Sequence, residues 1–290
     1  MDKPLRILMI GAHPDDNDGC GGGTALKYLK AGHRVRFLSV SDGRCGHHVL
    51  SPDKLIPRRR AEGKAVAAMT GIEYDIWDLP DAEIEASLEN RRRLIRYIRE
   101  YAPDVIFTHR TNDYHPDHRN TGLLVQDSAY LLAVPNLCPD APALSAMPVI
   151  AFYEDRFQNP PFRADVAVAL DDVMEEKYRM LACHESQYFE WLPYLDGLLG
   201  TVPESHEERI EWMRSPRIPR NRMLTKEELN VTSPCVHGEH NWARPAVLHR
   251  DVLRKRYGNK ADTTLFAEAF EISAYGRQPS ETEMEMLFPL

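Results

Sequence analysis

Short apolar runs alternate with amphipathic stretches along the first 190 residues of this 290-residue chain. Arg6 to Ile10 is an apolar run closed by Gly11 and reads as a buried strand. Arg34 to Val40, rich in β-branched and aromatic residues, reads as a second. Further strands are predicted at Tyr74 to Trp77, Val105 to Thr108, Val149 to Tyr153 and Val166 to Leu170. Helical patterns lie between them. Thr24 to Lys30 is closed by Gly32, and a second helix opened by Pro57 runs to Met69 and stops at Gly71. Ser87 to Tyr101 places Leu88, Leu94, Ile95 and Ile98 on one face before Pro103 breaks it. Asn120 to Ala133 and Asp171 to His184 follow, the last with Asp171 or Asp172 as its N-cap. Such alternation predicts an α/β fold with a doubly wound, mostly parallel, Rossmann-like sheet. In these sheets ligands sit at the carboxyl ends of the strands, near the switch in strand order.

From about Thr201 the periodicity weakens. Residues 201–245 are rich in Pro, Arg, Glu and His, with a helix predicted around Glu204 to Met213. Ala261 to Ser273 fits either a closing strand or a helix. The expected organisation is a single domain over 1–290, with a Rossmann-like core at 1–200 and a C-terminal extension at 201–290 packed on it.

Composition narrows the function classes. The formal charge of −8 argues against non-specific nucleic-acid binding, leaving Arg58-Arg59-Arg60 and Arg91-Arg92-Arg93 as local exceptions. The second of these reads as a solvated helix face. No apolar run is long enough to span a bilayer, so no membrane insertion is expected. The N-terminus leads straight into a strand without an export signal, and the expected location is cytoplasmic. Five cysteines without C-x-x-C spacing argue against both a disulfide framework and a cysteine-bound structural metal.

Two clusters carry the candidate chemistry: Ala12-His13-Pro14-Asp15-Asp16 and His115-Pro116-Asp117-His118. Each follows a predicted strand, where a parallel sheet presents its loops. His13, Asp16 and His118 form a two-imidazole, one-carboxylate set that leaves a zinc position open for water. Asp15 is then the candidate general base, since neighbouring side chains in an extended turn face different sides. His115, three residues before His118, is placed to stabilise an oxyanion when protonated, with Asp117 orienting it. The competing reading makes Pro14 and Pro116 turn markers and an Asp in each cluster a helix cap, Asp117 being the better candidate. Capping accounts for one Asp per cluster and leaves the histidines unexplained. Among the others, His33, His184, His206, His237, His240 and His249 read by default as ordinary solvated or satisfied residues. Gly19 to Gly23 lacks the G-x-G-x-x-G spacing of a dinucleotide loop, so its expected part is close approach of backbone to ligand and of helix to sheet.

At these residues the chain resembles the PIG-L/LmbE-like family of zinc-dependent de-N-acetylases. The family's A-H-P-D-D stands at Ala12 to Asp16 and its H-P-D-H at His115 to His118. Arg59-Arg60-Ala61-Glu62 resembles the family's R-x-x-E helix start, and Leu79-Pro80-Asp81 a later turn. His184-Glu185-Ser186-Gln187 matches a late H-x-S-Q. The resemblance covers roughly the first 190 residues and implies one zinc, or another divalent ion, per chain on His13, Asp16 and His118. It assigns Asp15 as base, His115 as oxyanion donor and Asp117 as its partner. The activity it implies is hydrolysis of the N-acetyl group of a GlcNAc-type amino sugar, giving free amine and acetate. Arg59 and the loop Asp42 to Val49, with Asp42 and Arg44, are expected to border the pocket and bind substrate. The loop departs from the commoner family form at Arg44 and Cys45, and residues 201–260 have no placed counterpart. A small-molecule amino sugar is the expected partner, and a homo-oligomer is implied by relatives that form trimers or hexamers. The alternatives are an amidase acting on a larger acyl conjugate, or a non-catalytic Rossmann-type ligand-binding module.

Overall fold

The computed structural model describes residues 3–157, 159–214, 222–229 and 240–290. Cys235 and His237 lie outside these residues, as does the side chain of His240. Among the described residues, seven strands form one sheet in the order β3-β2-β1-β4-β5-β7-β6. They are β1 (Arg6–Gly11), β2 (Arg34–Ser41), β3 (Glu73–Leu79), β4 (Val105–Thr108), β5 (Val149–Tyr153), β6 (Val166–Ala169) and β7 (Ala267–Gly276). β1 to β5 pair in parallel, with Ile7 opposite both Val35 and Val105. β7 runs antiparallel between β5 and β6. The last strand therefore comes from the region read as an extension, and it completes the sheet.

The helices are α1 (Asp16–Lys30), α2 (Pro52–Thr70), α3 (Leu88–Tyr101), α4 (Pro116–Ser128), α5 (Met174–Ala182) and α6 (Leu192–Leu195). Towards the C-terminus come α7 (His206–Met213), α8 (Lys226–Leu229), α9 (His240–Leu248), α10 (Arg250–Tyr257) and α11 (Glu281–Leu287). Alternate residues of each strand enter opposite cores, as the two-residue period of a strand requires. Ile7 and Met9 of β1 join Tyr28, Val66, Leu181 and Phe270 beneath α1, α2 and α5. Leu8 and Ile10 join Leu94, Ile98, Leu124 and Val125 beneath α3 and α4. Covered on both faces, the central strands read as unbroken apolar runs.

Three local expectations change. α1 begins at Asp16, so Gly19 to Gly23 lie inside a helix instead of a loop. A Cβ on Gly22 would meet the Met180 side chain at 2.1 Å, and one on Gly23 would meet Leu170 at 2.6 Å. These glycines let α1 press against α5 and the sheet, the close approach of helix to sheet that was expected of them. Pro52 opens α2, leaving Pro57 within its first turns. α5 starts at Met174 after Val173, while Asp171 Oδ1 accepts from the Leu265 N–H across the fold. α3 is capped by Ser87, whose hydroxyl accepts from the Asn90 N–H at 3.2 Å. It buries Leu94, Ile95 and Ile98 and leaves Leu88, in its first turn, exposed. Burying each such side chain contributes about 1.5–3 kcal/mol.

The chain leaves β3 through α3 to reach β4 on the far side of β1. β1 and β4 are therefore the switch point of the sheet, where a crevice opens at the carboxyl ends. Both clusters emerge there.

A candidate metal centre at the switch point

After β1 the backbone turns tightly. The His13 carbonyl accepts from the Asp15 and Asp16 N–H groups, and the His13 N–H donates to Asp16 Oδ2 at 2.7 Å. This folds the Asp16 carboxylate back over the turn, with Oδ2 3.3 Å from His13 Nδ1. A Cβ on Gly11 would stand 2.8 Å from Asp16 Cβ, so the turn needs glycine there. From the β4 side, His118 Nε2 comes within 3.4 Å of Asp16 Oδ1. One donor atom from each of His13, Asp16 and His118 falls within 4.8 Å of the others.

Both imidazoles are backed by carboxylates on the nitrogen facing away from this centre. His118 Nδ1 bonds Asp113 Oδ1 at 2.9 Å. His13 Nε2 lies 3.2 Å from Asp81 Oδ1 and 3.3 Å from Asp117 Oδ2. It is buried without an aligned hydrogen bond. A carboxylate on the outer nitrogen fixes the tautomer that turns a lone pair inward, the arrangement that equips histidine as a metal ligand. Two other groupings, His13–His115–Asp117 and His109–Asp113–His118, share these residues. In both, the carboxylate is the one that backs an imidazole. The residues therefore fit a divalent ion best on His13, Asp16 and His118, an N,N,O set suited to zinc and to other first-row ions.

The electrostatics match an ion-ready cage. Burial works against charge on Asp16, yet His118, His13 and His109 outweigh it and hold the carboxyl well below its ordinary range. Burial also opposes charge on His13, but Asp16, Asp117 and Asp81 raise it well above the usual imidazole value. His118 is pushed up to about 9, since Asp16 and Asp113 outweigh its burial. Both imidazole shifts favour positive charge at this place.

Asp117 and His115 differ from expectation. Asp117 is buried, and its carboxylate accepts from the Ala82 and Ile84 N–H groups at 2.7 and 3.3 Å while facing His13. Its carboxylate backs His13, and its backbone N–H holds His115. His115 is the N-cap of α4, its Nδ1 accepting from the Asp117 N–H at 3.2 Å. That bond leaves the ring proton on Nε2, so His115 offers a donor as a neutral imidazole. Burial, then His13 and His118, lower its pKa, which favours the neutral ring.

Asp15 stands beside the cluster, its Oδ1 accepting from Arg59 Nη2 at 3.0 Å. The same nitrogen donates to the Pro14 carbonyl at 3.0 Å. Arg59 is 2% exposed, so it sits beneath the turn with its Nη2 engaged by protein groups. Asp42 and Arg44 engage each other, the Asp42 carboxylate accepting from the Arg44 N–H and Nε at 3.0–3.1 Å. The loop they occupy is tied to the centre through Asp81, whose Oδ2 accepts from the Cys45 N–H at 3.0 Å.

Sequence reading missed His109 and Asp113. His109 follows β4 directly, stacks on His118 at 3.9 Å and brings Nε2 within 3.2 Å of Asp16 Oδ2. A titratable residue at the carboxyl end of a buried parallel strand was the available signal. The weaker motifs meet around the centre. Glu62 accepts from the Ser186 N–H and hydroxyl at 2.7 Å each. Gln187 donates to the Gly46 carbonyl at 2.9 Å, holding the loop. His184, taken by default as ordinary, is fully buried with Nε2 3.1 Å from Asp18 Oδ1.

Comparison with known proteins agrees with this geometry. Residues 8–129, which include both clusters, match the PIG-L family, described as GlcNAc-PI de-N-acetylase. The diacetylchitobiose deacetylase of Thermococcus kodakarensis is 30% identical over 205 residues, covering 66% of this chain and 74% of the relative. Among solved structures, the N,N'-diacetylchitobiose deacetylase of Pyrococcus horikoshii superposes with a TM-score of 0.62 at 24% identity, over 93% of this chain and 84% of that one. A 4-carboxy-2-hydroxymuconate hydratase from Pseudomonas putida superposes at 0.67 with 18% identity, over 96% and 99% of the two chains. At such identities these two likenesses speak for the fold alone, which has carried more than one chemistry. The deacetylase relative, matched over most of its length, and the family match across both clusters place this chain in the PIG-L family.

Proposed function

We propose that this chain is a metal-dependent hydrolase that removes the N-acetyl group from a GlcNAc-type amino sugar, releasing acetate and the free amine. The observation that carries the reading is Asp15. It is a carboxylate positioned by a buried arginine beside a three-ligand cage, and ligand binding alone would need no such group. His13, Asp16 and His118 would hold one zinc ion, which when bound supplies Lewis acidity to a water and to the amide carbonyl.

The chain's own residues do the rest. Arg59 fixes Asp15 Oδ1, leaving Oδ2 to take the proton of the attacking water and to return it to the departing amine. His115 donates from Nε2 to the oxygen that gains charge as the carbonyl becomes tetrahedral. Asp113 and Asp117 hold His118 and His13 in the required tautomers. Acetate release from N-acetylglucosamine and its β-1,4-linked dimer, measured before and after chelation, tests the proposal. Release lost on chelation and restored by zinc is expected. A protein that holds stoichiometric zinc yet frees no acetate from any N-acetylated amino sugar would overturn it.

A further inference from the structure

An aromatic surface lies beyond the metal centre, on the segment that follows the H-x-S-Q motif. A π-turn, Gln187–Trp191, leads into α6. Gln187, at its start, donates to the Gly46 carbonyl, and a Cβ on Gly46 would stand 3.6 Å from Arg59 Nη1. Tyr194 is seven residues farther along, on the order of 10 Å at a helical rise. The π-turn widens the helix at this point, a departure that recurs at functional sites.

His48, from the loop after β2, stacks on Tyr194 with centroids 4.1 Å apart and planes within 5°. Trp191 is 5.8 Å from Tyr194 at 19°, and 6.5 Å from His48 at 18°. Three near-parallel rings with these spacings cannot form one column, because the outer pair would be separated by the sum of the other two distances. Instead His48 covers one face of Tyr194, and Trp191 lies beside its edge. The opposite face of Tyr194 is covered by neither ring, and the residue is 49% exposed.

The surroundings of this step are polar. His47 Nδ1 accepts from the Val49 and Leu50 N–H groups at 3.0 Å each, which puts its proton on Nε2, 2.7 Å from Glu190 Oε2. Arg58 Nη1 donates to the same carboxylate oxygen at 2.8 Å. An aromatic face with a carboxylate and a guanidinium beside it suits a ring that is apolar on its CH face and carries hydroxyls at its edge. The net charge of −8 makes a polyanion the wrong partner.

We propose that Tyr194, Trp191 and His48 form a subsite for a second sugar ring, attached to the N-acetylated one, so that the substrate is an oligosaccharide. This rests on the deacetylase reading above. The loop that carries His48 is joined through Gly46 to Gln187, at the start of the turn that leads into α6, so a ring held on Tyr194 would help to fix the position of the attached amide.

The test compares kcat/KM for N-acetylglucosamine and its β-1,4-linked dimer in wild type, Tyr194→Ala and Tyr194→Phe. Dimer binding to the same variants, each carrying Asp15→Asn, is followed by calorimetry and by intrinsic tryptophan fluorescence. Wild type should prefer the dimer. Tyr194→Ala should reduce the dimer-to-monomer ratio roughly tenfold through KM, and Tyr194→Phe, which keeps the ring, should restore it. An unchanged ratio in Tyr194→Ala overturns the subsite, as does a wild type without preference. An aryl glycoside preferred over the dimer, with the same dependence on Tyr194, overturns the sugar as occupant. If neither sugar loses acetate the functional reading fails, and the binding arm still decides the subsite. There, a dimer affinity unaffected by Tyr194→Ala, or no dimer binding at all, overturns it.

Discussion

In the proposed mechanism Arg59 acts on the chemistry through Asp15. A buried hydrogen bond to a charged group contributes about 1.5–3 kcal/mol, so Arg59→Lys, which loses the planar fork, should lower kcat roughly ten- to a hundredfold with KM little changed. A raised KM with kcat intact would return Arg59 to substrate binding. Asp113 is a positioning residue for His118. Asp113→Ala should weaken zinc affinity by about ten- to a hundredfold in a chelator competition, and an unchanged affinity would remove that role. Both clusters were legible in the sequence because their residues are neighbours in the chain. The protein contacts of Arg59 and Asp117 were not legible, because those partners are remote. Arg59 meets Asp15 across 44 positions, and Asp117 reaches back to His13. Only folding decides which of several nearby groups a carboxylate will face.

Two supporting segments carry predictions at the level of elements. Arg99 on α3 is buried and donates to the carbonyls of Leu131, Leu132, Val134, Leu137, Cys138 and Ala141 at 2.6–3.1 Å. It gathers the turn after α4 by bonding its carbonyls. Lysine cannot span that set, so Arg99→Lys should cost at least about 3 kcal/mol, seen as a Tm lower by roughly 5–10 °C. A shift within 1 or 2 °C, roughly the effect of an ordinary surface change, would mean the clamp carries little. His184 and Asp18 tie α5 and α6 to α1. Burial lowers the His184 pKa, but Asp18 outweighs it and the net shift is upward. A raised folded value means the stabilisation is complete below the unfolded pKa of about 6.5 and is lost as pH rises through the folded value. The Tm gap between wild type and His184→Gln should therefore be larger at pH 6 than at pH 9; a gap growing with pH would contradict this. Element types were readable where periodicity was strong, as in β1, β2 and α3. The glycines of α1 looked like a loop because their reason, contact with Met180 and Leu170, lies in other elements.

At the scale of the whole molecule, the C-terminal region supplies more than a cover. β7 fills the gap between β5 and β6, and its buried Glu268 accepts from the Gly23 and Thr24 N–H groups of α1 at 3.0 and 2.8 Å. Glu268 also pairs with the buried Lys177 of α5. Weak periodicity hid this strand, whose residues alternate only in part. A chain ending at residue 200 should be insoluble or unfolded by circular dichroism, since it exposes two strand edges and leaves Lys177 buried without its carboxylate. The assembled sheet brings the loops of β1 and β4 together at the switch point. The proposed mechanism gives the adjacent carboxylates there different tasks, Asp16 towards the metal and Asp15 towards the proton. Paired measurement of zinc content and turnover in Asp15→Asn tests that division most directly. The account predicts full zinc occupancy with kcat reduced by roughly two to four orders of magnitude. Loss of the metal in Asp15→Asn, or turnover near that of the wild type, would contradict it.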